Sequence, residues 1–235
     1  MKRHTLLALS ILATLGFCAL GIWQLERRVW KLALIERVEA RVHAVPIAPP
    51  PPREWPTLTR EKAEYLRVSA TGRFLPGHET LVRAITARGS GFWVMAPFRT
   101  DAGFTLLVNR GFIPPSSQAP AARADAGTRG EPLTMTGLVR MTEPGGAFLR
   151  ANAPDQNRWY SRDVAALSQA QHLGSVAPYF IDAEAGYNGS TGNDTGPIGG
   201  LTVIAFRNSH LMYVFTWLSL ALLTAAFGVR VARHP

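Results

Sequence analysis

Charged residues are missing from two long stretches of the chain and scattered through everything between them. Residues 6–25 and 211–229 contain no Asp, Glu, Lys or Arg. At 1.5 Å per residue in a helix, each stretch covers the roughly 30 Å hydrocarbon core of a bilayer. The pattern predicts a transmembrane helix near each end. The first reads as an anchor rather than a cleaved signal, because its apolar run exceeds an h-region of about 7–15 residues and no A-x-A site follows it. Past Leu25, the apolar positions Val29, Leu32, Val38 and Val42 recur near every 3.6 residues with charges between them. The first helix is therefore expected to run on until Pro46 and the run Pro49-Pro50-Pro51-Pro52, a stiff linker.

After that run the period shortens. Strands broken by Gly and Pro are expected at 65–74, 80–85, 91–98, 105–113, 133–141 and 201–206. One helix is expected over 162–173, with Ser161 as its N-cap and Gly174 just past its end. Segments 123–130 and 186–200 read as loops. Short strands with one helix are best satisfied by a small, closed or nearly closed antiparallel barrel, which hides its edges. The predicted fold class is a membrane protein with two transmembrane helices flanking a mostly β extracytoplasmic domain. Its parts are a tail (1–5), helix one (6–25), a helical extension (26–45), the Pro-rich linker (46–60), the β-rich domain (61–209), helix two (210–229) and a second tail (230–235).

Composition sharpens this. Of 235 residues, 47% are hydrophobic and only 17% charged, against roughly 25% charged in a soluble domain. The single cysteine, Cys18, excludes an internal disulfide, a CxxC centre and a CxxCH haem attachment. The net charge of +9 raises nucleic acid and anionic membrane as partners. No RNP, zinc-finger or basic-helix pattern supports nucleic acid. Lys2 and Arg3 precede the first span while Arg230 and Arg233 follow the second, which predicts cytoplasmic termini and a periplasmic domain. The lack of an Arg- and Ser-rich transit segment favours a bacterial inner membrane.

Enzymatic motifs are absent: the chain has no GxxxxGK[ST], GxSxG, HExxH or GxGxxG in a strand–helix context. Asp182 and Glu184 stand two apart, but Ala185-Gly186 reads as a turn, so a solvated loop is expected there. No enzyme activity is predicted. Among six histidines, His210 is set apart because it opens the second span, where an ionisable group is a functional candidate. His210, Tyr213, Trp217 and Thr224 share one helical face by their spacing, as do Ser10, Thr14, Phe17, Gly21 and Gln24 on the first span. Small and polar residues on such faces mark helix–helix contact in lipid. A neutral imidazole in an apolar slot, with arginines near the surface for carboxylates, describes a b-type haem site. Arg207, Arg110 and Arg158 are the candidates for the propionates.

Several segments carry a family resemblance: Gly21-Ile22-Trp23-Gln24-Leu25, Gly91-Phe92-Trp93-Val94-Met95-Ala96-Pro97-Phe98, Val108-Asn109-Arg110-Gly111-Phe112-Ile113-Pro114, Asn157-Arg158-Trp159-Tyr160, Gly196-Pro197-Ile198-Gly199-Gly200, and Asn208-Ser209-His210-Leu211-Met212-Tyr213 with Thr216-Trp217. In order and spacing the chain resembles the Surfeit-locus family of cytochrome c oxidase assembly factors along nearly its whole length. The family pattern usually has Gln where Met212 stands and Asn or Glu where Ser209 stands. The resemblance implies a non-enzymatic chaperone that binds haem a, with His210 as axial ligand, and passes it to oxidase subunit I. Haem a synthase is a further implied partner, and the lipid bilayer is the medium. The rival reading is a protein-only scaffold that stabilises an assembly intermediate without haem. Because antiparallel spans bring Gln24 to the depth of His210, the Gln24 amide oxygen or a carbonyl of the Asn208-Ser209 segment is expected to orient the imidazole, while Trp23 and Trp217 exclude water.

Overall fold

The computed structural model describes residues 2–118, 131–147, 149–186, 196–202, 204 and 208–233. In chain order the elements are α1 (Lys2–Val42), α2 (Arg60–Ala63), β1 (Arg67–Phe74), β2 (Thr80–Thr86), β3 (Gly89–Thr100), β4 (Thr105–Ile113), β5 (Leu133–Met141), α3 (Val164–Ala170), β6 (Val176–Ala183) and α4 (His210–Arg233). They form two compact units, Met1–Ala40 with Ile204–Pro235, and Arg41–Val203.

In the first unit α1 and α4 are the two helices long and apolar enough to cross a membrane. Their apolar side chains face outward: Leu12 is 69% exposed, Phe215 66% and Leu222 73%. A helix at the core of a soluble protein would bury such residues, so the two helices are those of a membrane protein. At 41 residues, α1 is about 60 Å long, twice the hydrocarbon thickness, and the extension expected beyond Leu25 is continuous with the span.

The second unit is the barrel. Hydrogen bonding runs β1-β5-β6-β4-β3, and β3 pairs back to β1 through Gly72↔Thr100, Arg73↔Arg99 and Phe74↔Phe98, which closes a ring of five strands. The 12-residue β3 is long enough to carry β2 as a hairpin on its first half and the closing contact with β1 on its second. Every seam is antiparallel except β4–β6, which is parallel. Alternation sorts the side chains: Leu106, Val108, Tyr179 and Ile181 fill one cluster with Phe74, Phe98 and Met135, while Leu107 and Phe180 point the other way, onto Val164 and Leu167 of α3. Layers on both faces leave β4 buried along its whole length.

Some boundaries differ from expectation. Strand β6 forms over Val176–Ala183, a stretch not among the expected strands, and Leu201 and Thr202 lie outside any strand; 203, 205 and 206 fall outside the described residues, as do the 123–130 loop and positions 187–195 of the 186–200 loop. α3 begins two residues later than expected because Asp163, not Ser161, caps it, accepting from the Ala166 amide at 3.1 Å. Ser161 instead accepts from the Gly146 amide and from Asn152. The proline run is no free spacer. Ile47 pairs beside Val68, and the Pro50 carbonyl accepts from the Tyr179 hydroxyl at 2.8 Å and the Trp55 indole at 3.0 Å. Burial of Tyr179 raises its pKa above the ordinary phenol value, so it stays a donor.

Candidate functional site

The site is built where the polar stripes of α1 and α4 meet. The helices run antiparallel. At one end Arg3 donates to the Ala232 carbonyl at 2.5 Å. Further along, the Ser10 hydroxyl donates to the Thr224 carbonyl at 2.5 Å, and the Thr14 and Thr224 hydroxyls lie 2.8 Å apart. Gly228 permits this approach, since a Cβ there would come within 2.6 Å of Ser10 Oγ. Next, Phe17 stacks on Trp217 at 5.8 Å between ring centroids, and Gly21 faces Trp217 and Leu218.

At the other end His210 Nδ1 lies 2.7 Å from Gln24 Oε1. An amide oxygen only accepts, so Nδ1 carries the proton and donates. That tautomer leaves Nε2 with its lone pair, and Nε2 makes no hydrogen bond among the described residues. Gln24 is buried at 8% exposure, which fixes the acceptor in place. Two turns along α4 from His210, Trp217 Nε1 is buried and has no hydrogen-bond partner among the described residues. Orphaned buried donors are uncommon, and this one, about 10 Å along the helix from the imidazole, suits a bound molecule long enough to reach both and carrying an acceptor.

Other expected residues stand apart from this pair. Trp23 and Tyr213 are each 52% exposed, and their side chains make no hydrogen bond or ring contact among the described residues. Arg207 lies outside the described residues. Arg158 is exposed in the barrel unit. Arg110 corrects the expectation outright: it is 1% exposed within that unit, ion-paired with Glu79, its guanidinium 5.1 Å from the Phe74 ring centroid. Neutralised and sealed from solvent, it is a structural cation, not a surface donor for a carboxylate.

The largest polar feature is one the sequence reading placed in a solvated loop. Asp182 is on β6, 4% exposed, and four hydrogen bonds occupy its carboxylate. Oδ1 accepts from Asn109 at 2.8 Å and Arg162 at 3.0 Å, while Oδ2 accepts from Arg140 at 2.9 Å and Thr202 at 3.0 Å. Alternating charges continue on both sides, through Arg140 to Glu64 at 2.9 Å and through Arg162 to Glu143 at 2.5 Å. Burial alone would raise the Glu143 pKa, but the hydrogen bonds and charge of Arg162 outweigh it and hold the carboxyl below its ordinary value. Burial alone would lower the Arg140 pKa, and Asp182 and Glu64 reverse that. With its acceptor positions filled, Asp182 has no lone pair left for a substrate proton. Among the described residues no group of three or more His, Cys, Asp or Glu side chains gathers as a metal cage.

Comparison with known proteins places the chain in a family. The SURF1 family model matches residues 11–222. Surfeit locus protein 1 of Rattus norvegicus is 37% identical, covering 92% of this chain and 72% of its own length. The Homo sapiens protein of that name is 37% identical over 88% of this chain and 70% of its own. A SURF1-like protein of Caenorhabditis elegans is 35% identical over 92% of this chain and 70% of its own. With a family match that takes in both helices of the His210–Gln24 pair and the whole barrel between them, the chain belongs to the SURF1 family.

Proposed function

We propose that this protein is an assembly factor for cytochrome c oxidase that holds haem a on His210 and passes it to subunit I, without enzymatic turnover. The observation that carries the reading is the Nδ1–H···Oε1 bond at 2.7 Å, which presents Nε2 in the state a metal requires. The orphaned Trp217 N–H and the Phe17–Trp217 stack fit a large, flat, mostly apolar molecule with a polar periphery. Trp23 and Tyr213, half exposed on either helix, supply further aromatic surface for it. Haem a is cargo here: its iron would supply the electrophile that Nε2 binds. Arg158 and Arg207 remain the candidate cations for its propionates. Haem a synthase is the natural donor.

The antiparallel packing of the two helices supports a reading in which both ends lie on one face of a bilayer. With the basic flanks of the sequence, this supports cytoplasmic termini and a periplasmic barrel in a bacterial inner membrane. The testing experiment is the absorption spectrum of protein purified from cells that also express haem a synthase. A haem a spectrum supports the reading. A haem-free protein that still promotes oxidase assembly would replace it with the scaffold.

A further inference from the structure

The outer face of the β2–β3 hairpin carries a surface that the haem reading does not use. An open cleft of about 670 Å³ lies between this hairpin and the 147–160 segment, lined by Arg83, Ile85, Phe92, Ala147, Arg150 and Tyr160 among others. No acid lines it. Arg83 and Arg150 both approach the Tyr160 ring, at 5.9 and 5.6 Å from its centroid, and neither has a carboxylate partner among the described residues. Arg88 at the hairpin turn is exposed as well.

Flanking the cleft stand two outward apolar residues, Ile85 at 90% exposure and Leu149 at 88%. Leu149 is held at φ 60°, a conformation leucine rarely adopts, in the tight turn closed by the Ala147–Arg150 pair. Protruding aliphatics ringed by unpaired arginines are the features of a surface that enters a lipid interface: the apolar tips dip toward the acyl boundary and the cations hold phosphodiesters.

We propose that this face of the barrel docks on anionic phospholipid headgroups, with a phosphate held between Arg83 and Arg150. An acidic protein partner shares the charge, but convex aliphatic tips fit a deformable surface better than a fixed one. The chain's own spans also keep bilayer at high effective concentration. Each arginine near such a surface contributes about 1 kcal/mol, or roughly a five-fold change in the docked fraction.

The test uses the full chain in nanodiscs, with Cys18→Ser and a polarity-sensitive fluorophore on Ile85→Cys, and in a second variant on Leu149→Cys. Discs of phosphatidylcholine alone are compared with discs containing phosphatidylglycerol. The expected result is a blue shift, with quenching by headgroup-depth spin-labelled lipid, in the anionic discs only. That shift is reversed by salt and lost in Arg83→Glu/Arg150→Glu at unchanged thermal stability. Water-like emission in both discs would overturn the proposal. So would a shift that survives the double charge reversal, or one that appears only when an acidic protein is added.

Discussion

Gln24 Oε1 and His210 Nδ1 lie 2.7 Å apart although 186 positions separate them in the chain. The bond sets which nitrogen of the imidazole carries the proton and which way the ring faces. Replacing Gln24 with leucine removes the acceptor and lets the tautomers mix. Gln24→Leu is expected to weaken haem a binding about 10–100-fold, while Gln24→Glu, which still accepts from Nδ1–H, retains it. Titration of haem a into each purified variant checks this. Equal losses in both would assign Gln24 a role in packing alone.

The helix pair rests on close approach, and Gly228 is its tightest point. A side chain there meets Ser10 Oγ within 2.6 Å at its first carbon. Gly228→Leu is expected to part the helices and break the Ser10 and Thr14 contacts with Thr224. Spin-label distances between positions near Arg3 and Ala232 should lengthen in the mutant and broaden in distribution.

These contacts were legible in the sequence because a 3.6-residue period places Ser10, Thr14, Phe17, Gly21 and Gln24 on one face, and all five meet α4. Most barrel strands were legible from alternation and their Gly and Pro boundaries. Strand β6 was not. Val176–Ala183 is interrupted by Pro178 and is covered on both faces, so it shows neither alternation nor a clean apolar run. Asp182 was misread for the same reason: its partners Asn109, Arg140 and Arg162 come from β4, β5 and the segment before α3, and nothing local announces them. Arg110 looked like a free cation because Glu79, which neutralises it, lies 31 residues earlier.

The Asp182 ladder makes the barrel sensitive to single deletions. Asp182→Ala leaves Arg140 and Arg162 facing each other without the buried anion between them, and is expected to cost about 3–5 kcal/mol. Chemical denaturation of the full chain measures it. The pH dependence is carried in part by Glu143, whose folded pKa is depressed below 4.5. Its contribution is complete above the unfolded value and is lost as pH falls through the folded one. Glu143→Gln should therefore be less stable than wild type near neutrality, with the gap closing as the pH drops below about 4.5.

Gly111 sits at φ 131°, with its Cβ position 2.2 Å from the Ile198 carbonyl oxygen. Phe112 and Ile198 exchange two backbone hydrogen bonds of 2.9 Å at this crossing, which ties the 196–202 segment to β4. Gly111→Val is expected to displace the segment and lower stability by about 3 kcal/mol, from strain and lost pairing together. Thermal unfolding, with amide exchange at Ile198, reads both effects.

The central claim is that His210 Nε2 is the ligand that holds the cargo. The measurement is haem a bound per chain in His210→Ala, purified beside wild type from cells that make haem a, with the α1–α4 label distances recorded on the same samples. The prediction is that most of the haem is lost while the helix pair keeps its spacing. Full haem loading in His210→Ala would contradict it.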